Sequence, residues 1–360
     1  MKVMRRYSNL RIWFPAFLLL IVATGFNDPD KNQGAGTPGS PLTPPTVISV
    51  IPGVGVTGVC QGAVVTATFS KAMNPATIIS PATTFTLAAG GTSVAGTVSL
   101  DSTDMVATFT PMNLLLVDTQ YTATITTGAQ DQFGNGLAQD FVWTFTTAIT
   151  PCPSPIALGT ACSFGILAGS TVTNVAGTAT SITGDVGVWP GTAITGLTPP
   201  ATVTGTIHAG DPTAMQAQGD LTTAYNAAAG AAGGAALPAD IGQETLFPGV
   251  YKTSISLGIT GNLTLDAQGD SNAVWIFQIG STLVTAAGNS QVILTNGAQS
   301  KNVFWQVGSS ATLGTNTVFD GTIMAQASIT LTTGATLNGR ALASTGAVTL
   351  DTNTVITSCP

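Results

Sequence analysis

Ala311-Thr312-Leu313-Gly314-Thr315, Ile329-Thr330-Leu331-Thr332-Thr333 and Val348-Thr349-Leu350-Asp351-Thr352 repeat one short pattern three times. Before each copy stands a second pattern: Asn302-Val303-Phe304-Trp305-Gln306, Thr322-Ile323-Met324-Ala325-Gln326 and Arg340-Ala341-Leu342-Ala343-Ser344. After each copy stands a third: Thr317-Val318-Phe319, Thr336-Leu337-Asn338 and Thr354-Val355-Ile356. A period of about 18–20 residues, with three short strands per period and Gly or Asn between them, specifies a β-helix of triangular cross-section. Val274-Trp275-Ile276-Phe277-Gln278 and Ser281-Thr282-Leu283-Val284-Thr285 form a looser coil upstream.

Strand alternation then sorts the central pattern. Leu283, Leu313, Leu331 and Leu350 are expected to point inward, and Thr282, Thr312, Thr330 and Thr349 outward. One position past each Leu, Val284, Gly314, Thr332 and Asp351 also face out, and Thr285, Thr315, Thr333 and Thr352 follow at the turn. Coils stack about 4.8 Å apart and outward neighbours along a strand lie about 6.6–6.8 Å apart, so the expected surface is a flat array of methyls and hydroxyls. Threonine is also a strong strand former, so the ladder alone suits a plain scaffold equally well.

One segment breaks the strand pattern. Asp211-Pro212 offers an N-cap with Pro at the first helical position, and Ala214, Ala217, Leu221, Tyr225 and Ala228 follow at helical spacing until Gly230. A long helix lying against the solenoid is expected.

In front of the solenoid the pattern is different. Val64 to Phe69, Met105 to Phe109, Tyr121 to Ile125 and Phe141 to Phe145 alternate with period two and are separated by turns, which argues a β-sandwich. Asp131 and Asn135 read as a turn folding back on its own backbone rather than as a calcium loop. The segments Phe69-Ser70-Lys71-Ala72-Met73-Asn74-Pro75, Phe109-Thr110-Pro111, Asp131-Gln132-Phe133-Gly134-Asn135 and Trp143-Thr144-Phe145-Thr146-Thr147 together resemble the bacterial Ig-like domain of surface-layer proteins and adhesins.

The whole chain is therefore expected to be all-β with one long helix. Its parts are an export signal at 1–25, a flexible linker at 26–45, the Ig-like sandwich at 46–149, a Pro-rich joint at 150–157 and the solenoid at 158–360. The export signal rests on Lys2, Arg5, Arg6 and Arg11 before the apolar run from Phe17 to Ala23, with Ala23-Thr24-Gly25 as a cleavage site; a retained anchor is the alternative. Phe26 stands where a lipoprotein would need Cys, so lipidation is not expected. No uninterrupted apolar run after the N-terminus is long enough for an internal membrane span.

Four cysteines in an exported chain favour disulfides over metal. Of the three possible connectivities, Cys60 with Cys152 and Cys162 with Cys359 join the ends of one segment each. Only 7% of the residues are charged. Without the four basic residues of the export signal the chain carries about −11, a balance that disfavours nucleic acid or anionic lipid.

A catalytic constellation is hard to assemble. The chain has one histidine, His208, and one glutamate, Glu244. From Ala273 to Leu350 the charged residues are Lys301, Asp320 and Arg340 alone, whereas a solenoid lyase or glycosidase needs clustered carboxylates. No enzyme activity, cofactor or metal site is expected.

The resemblance that bears on function begins at Leu158-Gly159-Thr160-Ala161-Cys162-Ser163-Phe164-Gly165-Ile166-Leu167-Ala168-Gly169 and continues through Ile182-Thr183-Gly184-Asp185-Val186-Gly187-Val188 and Pro248-Gly249-Val250-Tyr251. It ends with Asn302-Val303-Phe304-Trp305-Gln306-Val307-Gly308 and Asn338-Gly339-Arg340-Ala341-Leu342-Ala343. In this order the motifs resemble the microbial ice-binding family with a discontinuous β-solenoid, over about 158–357. The resemblance implies that the partner is the ice crystal surface, met without turnover by a flat threonine face. Thr282, Thr285, Thr312, Thr315, Thr330, Thr332, Thr333, Thr349 and Thr352 are the expected contact residues. Gly314 and Asp351 interrupt that ladder. The protein is expected to be monomeric and extracellular, released or held at the cell surface. The competing reading is a surface adhesin or spacer that binds a glycan or a protein. A glycan site needs exposed aromatics; Trp275 and Trp305 fall where alternation buries them, leaving Trp189.

Overall fold

The computed structural model describes residues 42–288 and 290–357. The export signal, most of the linker and Cys359 lie outside the described residues, so the Cys162–Cys359 pairing does too.

Two four-stranded antiparallel sheets make up the N-terminal part. One orders its strands Val47–Ile51, Val65–Phe69, Val106–Pro111 and Gly96–Leu100; the other orders them Thr92–Ser93, Phe85–Ala89, Gln120–Ile125 and Phe141–Thr146. Alternate residues turn inward, and Phe69, Phe85, Leu87, Phe109, Tyr121, Trp143 and Phe145 close a core of their own. The buried Trp143 indole donates to Pro52 O at 3.2 Å, so its one polar atom is satisfied. Asp131 is fully buried, with its carboxylate accepting from Phe133 N, Asn135 N and the Asn135 amide and pairing with Lys71 at 3.3 Å. That is the backbone-folding turn read from the sequence. Cys60 and Cys152 are bonded, and a closed loop of 92 residues contributes about 4–5 kcal/mol in the chain-entropy treatment.

From Phe164 the chain winds into a three-sided solenoid of parallel strands. Face A is a seven-stranded sheet in the spatial order Ala193–Thr195, Thr171–Asn174, Val348–Leu350, Ile329–Leu331, Ala311–Leu313, Leu283–Thr285 and Leu257–Ile259. Faces B and C form one hydrogen-bonded network, because Val318–Ala325 and Thr336–Ala343 run through the corner between them without a break. Gly321 (φ 115°) and Gly339 (φ 154°) make that bend in backbone conformations that side chains resist.

The stacking order departs from chain order. Thr171–Asn174 pairs with Val348–Leu350 on one side and with Ala193–Thr195 on the other. The first solenoid coils therefore extend the stack beyond the last ones. Inside, aromatic rings climb from coil to coil, Tyr251 to Phe277 at 5.5 Å and Phe277 to Trp305 at 3.9 Å, and Trp305 meets Phe319 across the interior at 4.9 Å. Trp275 and Trp305 are wholly buried.

Face C is covered by the helix Pro212–Ala229. Ala217, Leu221, Ala224 and Ala228 lie on Ile276, Phe304, Met324 and Leu342, small residues letting the helix sit close. Asp211 caps it by accepting from Ala214 N at 2.9 Å, with Pro212 in the first turn and Gly230 at the end. His208 Nδ1 lies 2.7 Å from the same carboxylate, which makes the lone histidine part of a helix cap. Asp220 accepts from Thr160 N and its hydroxyl, both at 2.7 Å, and ties the helix to the turn that opens the solenoid.

Candidate functional site

With face C covered, faces A and B remain open. The registers of face A align one outward residue from each strand: Gly258, Val284, Thr312, Thr330, Thr349, Thr173 and Thr195. Five threonines thus stand in an unbroken column. At one coil each they span about 19 Å. Thr312, Thr330 and Thr349 are each flanked by buried apolar residues such as Ile329 and Leu331, and all five threonines stay half-buried or exposed. Among the described residues none of these five hydroxyls makes a hydrogen bond within the protein.

Beside this column runs a second, made of Ser256, Thr282, Ser310, Ser328, Ala347, Thr171 and Ala193. Several of its hydroxyls are engaged: Thr282 donates to Ser256 at 2.8 Å, and Ser310 and Ser328 accept from Ser328 N and Ala347 N.

The nine threonines named from the sequence divide accordingly. Thr312, Thr330 and Thr349 stand in the main column. Thr282 does not: Leu283 pairs with Ala311 and Val284 with Thr312, a register two residues away from the alignment of leucines. A two-residue shift preserves inside and outside, so Val284 enters the column and Thr282 moves to its neighbour. The same shift carries Thr285 to an inward position, where it is 2% exposed. Its hydroxyl is satisfied there by Thr317 Oγ1 and Gly314 N, each at 2.8 Å.

Thr315, Thr332, Thr333 and Thr352 lie at the corner between faces A and B, and their hydroxyls are used within the protein. Thr332 donates to Leu313 O at 2.8 Å and lies 3.4 Å from Thr315 Oγ1. Thr333 and Thr352 both donate to Asp351. Thr352 takes φ 56°, the left-handed turn position filled by Asn316 and Gly334 in the two coils below, so Asp351 rather than Thr352 stands beside Thr333. The turn of the last coil is one residue shorter.

Thr173 and Thr195 are the positions the repeat alignment missed. Thr171-Val172-Thr173 and Ala193-Ile194-Thr195 carry the same alternation, but they lie far upstream of the clear repeats.

Face B differs in chemistry. One of its columns is Asn262, Gln291, Val318, Thr336, Thr354, Ser181 and Thr202, and the next includes Ile293, Asn338, Ile356 and the buried Asp320. Burial raises the Asp320 carboxyl from 3.8 to about 6, against one long hydrogen bond from Asn338 at 3.5 Å. Because the folded-state value lies above the unfolded one, the native state holds the proton more tightly. The associated stability is present below about pH 4 and is lost as pH rises through about 6. Asp320→Asn is therefore expected to stabilise the protein at pH 7.5 by on the order of 2–3 kcal/mol and to change little at pH 4. Thermal melts of both proteins at the two pH values check this; an equal shift at both contradicts it.

Among the described residues no group of three or more metal-ligating side chains occurs, and no helix is long and apolar enough to cross a membrane. On the solenoid Trp189 is half-buried.

Comparison with known proteins bears on both parts. Residues 166–356 match the ice-binding-like family, and residues 42–147 match the bacterial Ig-like domain. An ice-binding protein of Nostoc sp. is 54% identical over 204 residues, covering 56% of this chain and 74% of that protein. Ice-binding protein 1 of Shewanella frigidimarina is 32% identical over 295 residues, covering 73% of this chain and 33% of that one. The crystal structure of an ice-binding protein from an Antarctic biological consortium superposes with a TM-score of 0.55 at 50% identity, over 57% of this chain and 93% of that one.

Proposed function

The chain belongs to the ice-binding-like family, and we propose that it adsorbs to ice through face A. The observation that carries this reading is the column Thr312, Thr330, Thr349, Thr173 and Thr195, which stands on the outer side of face A and whose hydroxyls make no hydrogen bond among the described residues. Water ordered by such hydroxyls and held between the methyls can match a crystal lattice at a regular spacing. A bound crystal front then bulges between anchored molecules, and its curvature opposes growth and recrystallisation. Adsorption of this kind needs no turnover and no cofactor.

The reading gives the corner threonines a supporting role, since their hydroxyls hold the turns. A disulfide at Cys60–Cys152 suits an extracellular setting, where such bonds persist. The two parts bury separate clusters, so the solenoid is expected to carry the activity alone.

A fragment beginning at Pro155 should fold and be taken up by a growing ice hemisphere as strongly as the full chain. Circular dichroism and uptake of fluorescently labelled protein are the measurements. A folded fragment that stays in the liquid would place part of the site in the sandwich and defeat the proposal.

A further inference from the structure

The turn 267–274 joins the face-B strand Asn262–Asp266 to the face-C strand Trp275–Ile279, so it lies at the corner opposite face A. The sandwich touches the solenoid at this turn. A Cβ added to Gly62 would fall 2.8 Å from Asp270 Oδ2. From the other side, a Cβ added to Gly269 would fall 2.9 Å from Ile51 Cγ2 and 3.0 Å from Val64 O. Each partner thus contributes a glycine where the other approaches: Gly62 meets the Asp270 carboxylate, and Gly269 meets the Ile51 side chain and the Val64 carbonyl.

The chemistry around the two glycines fits a closed seam. Asp270 and Gln268 are 5% and 4% exposed, although both are polar. Asp270 accepts from Asn272 N, while neither amide atom of Gln268 finds a partner. The segment leaving the sandwich is also tied back next to Gly62. Cys152 is bonded to Cys60, Cys152 N donates to Gln61 Oε1 at 3.2 Å, and Gln61 Nε2 donates to Thr150 O at 3.4 Å. The chain therefore departs for the solenoid from beside the contact.

We infer that the sandwich is docked on the Gln268–Asp270 turn as a fixed wedge, through a seam with a glycine on each side, opposite the threonine column. The seam stands on these contacts alone. Its consequence, that the sandwich leaves the ice-contacting face unobstructed and turns it outward, rests on the proposed role of face A.

Small-angle X-ray scattering of the full chain tests the seam. Gly62→Leu should force the modules apart and increase the radius of gyration and the maximum dimension. Adding Asp270→Gly to that variant removes the obstructing carboxylate and should return both values toward the wild type, a rescue that a merely misfolded sandwich would not show. Scattering unchanged by Gly62→Leu, or not restored in the double variant, overturns the docking. Ice uptake of the same three proteins reports on face A separately: uptake should remain normal whether the seam is open or closed. Wild-type protein that is left in the liquid would refute the ice-contacting face without touching the seam.

Discussion

Thr330→Tyr should lose most of its affinity for ice while melting at nearly the wild-type temperature. Thr330 stands at an interior position of the column, between Thr312 and Thr349, and its side chain points away from the buried Ile329 and Leu331. A phenol there rises above a plane of small side chains and holds a flat crystal off the neighbouring threonines. The cost to folding should be about 0.5 kcal/mol, because no core contact is altered. Thr336→Tyr is the matched comparison, since Thr336 pairs with Val318 and Thr354 on face B. It should bind ice nearly as the wild type does. The reverse outcome, activity kept by Thr330→Tyr and lost by Thr336→Tyr, would move the site to face B.

Gly339→Ala should have the largest effect on stability. A Cβ at this residue would lie 2.0 Å from Gly321 O, in the coil below, and φ 154° is unsuited to any side chain. Neither atom is the end of a flexible chain, so relief requires the two coils to separate. A loss of about 3 kcal/mol or more is expected, enough to threaten folding. Gly219→Ala offers the opposite sign. Gly219 lies on the exposed side of the helix with nothing within 4 Å of its added Cβ, and the change should stabilise by about 0.5–1 kcal/mol. Denaturant unfolding of the two variants checks both. Equal stability of Gly339→Ala and wild type would mean that the B–C bend is not held as described. The bend matters to the site because it delivers Val348–Leu350 to face A in register with Ile329–Leu331.

Local signals in the sequence were strong wherever structure is decided locally. Asp211, Pro212 and Gly230 mark the ends of the helix, and alternation in Phe141 to Phe145 or Ile329 to Leu331 marks what is buried. Turn chemistry at Asp131 and Asn135 was legible for the same reason. The order in which coils stack was not, because parallel pairing joins segments with no constraint on their separation along the chain. Thr173 therefore pairs with Thr349 across most of the solenoid's length, and a search for adjacent repeats cannot see it. Register also escaped the alignment of leucines. Thr285 can replace Leu at an inward position once Thr317 and Gly314 satisfy its hydroxyl, a compensation visible only in three dimensions. Thr352 was misplaced because the last turn is one residue shorter, and a β-branched residue was not expected at a left-handed position.

Residues from both ends of the solenoid segment build one column on face A, the surface proposed to meet ice. The most direct measurement is a competition inside a single ice hemisphere, grown from a mixture of wild-type protein with one fluorophore and Thr173→Tyr with another. Thr173 comes from the first solenoid coil, and its hydroxyl is exposed beside Thr349 and Thr195. The wild type should enter the ice and Thr173→Tyr should remain in the liquid, with both proteins melting alike. Equal incorporation of the two colours, with the variant folded, would contradict the account.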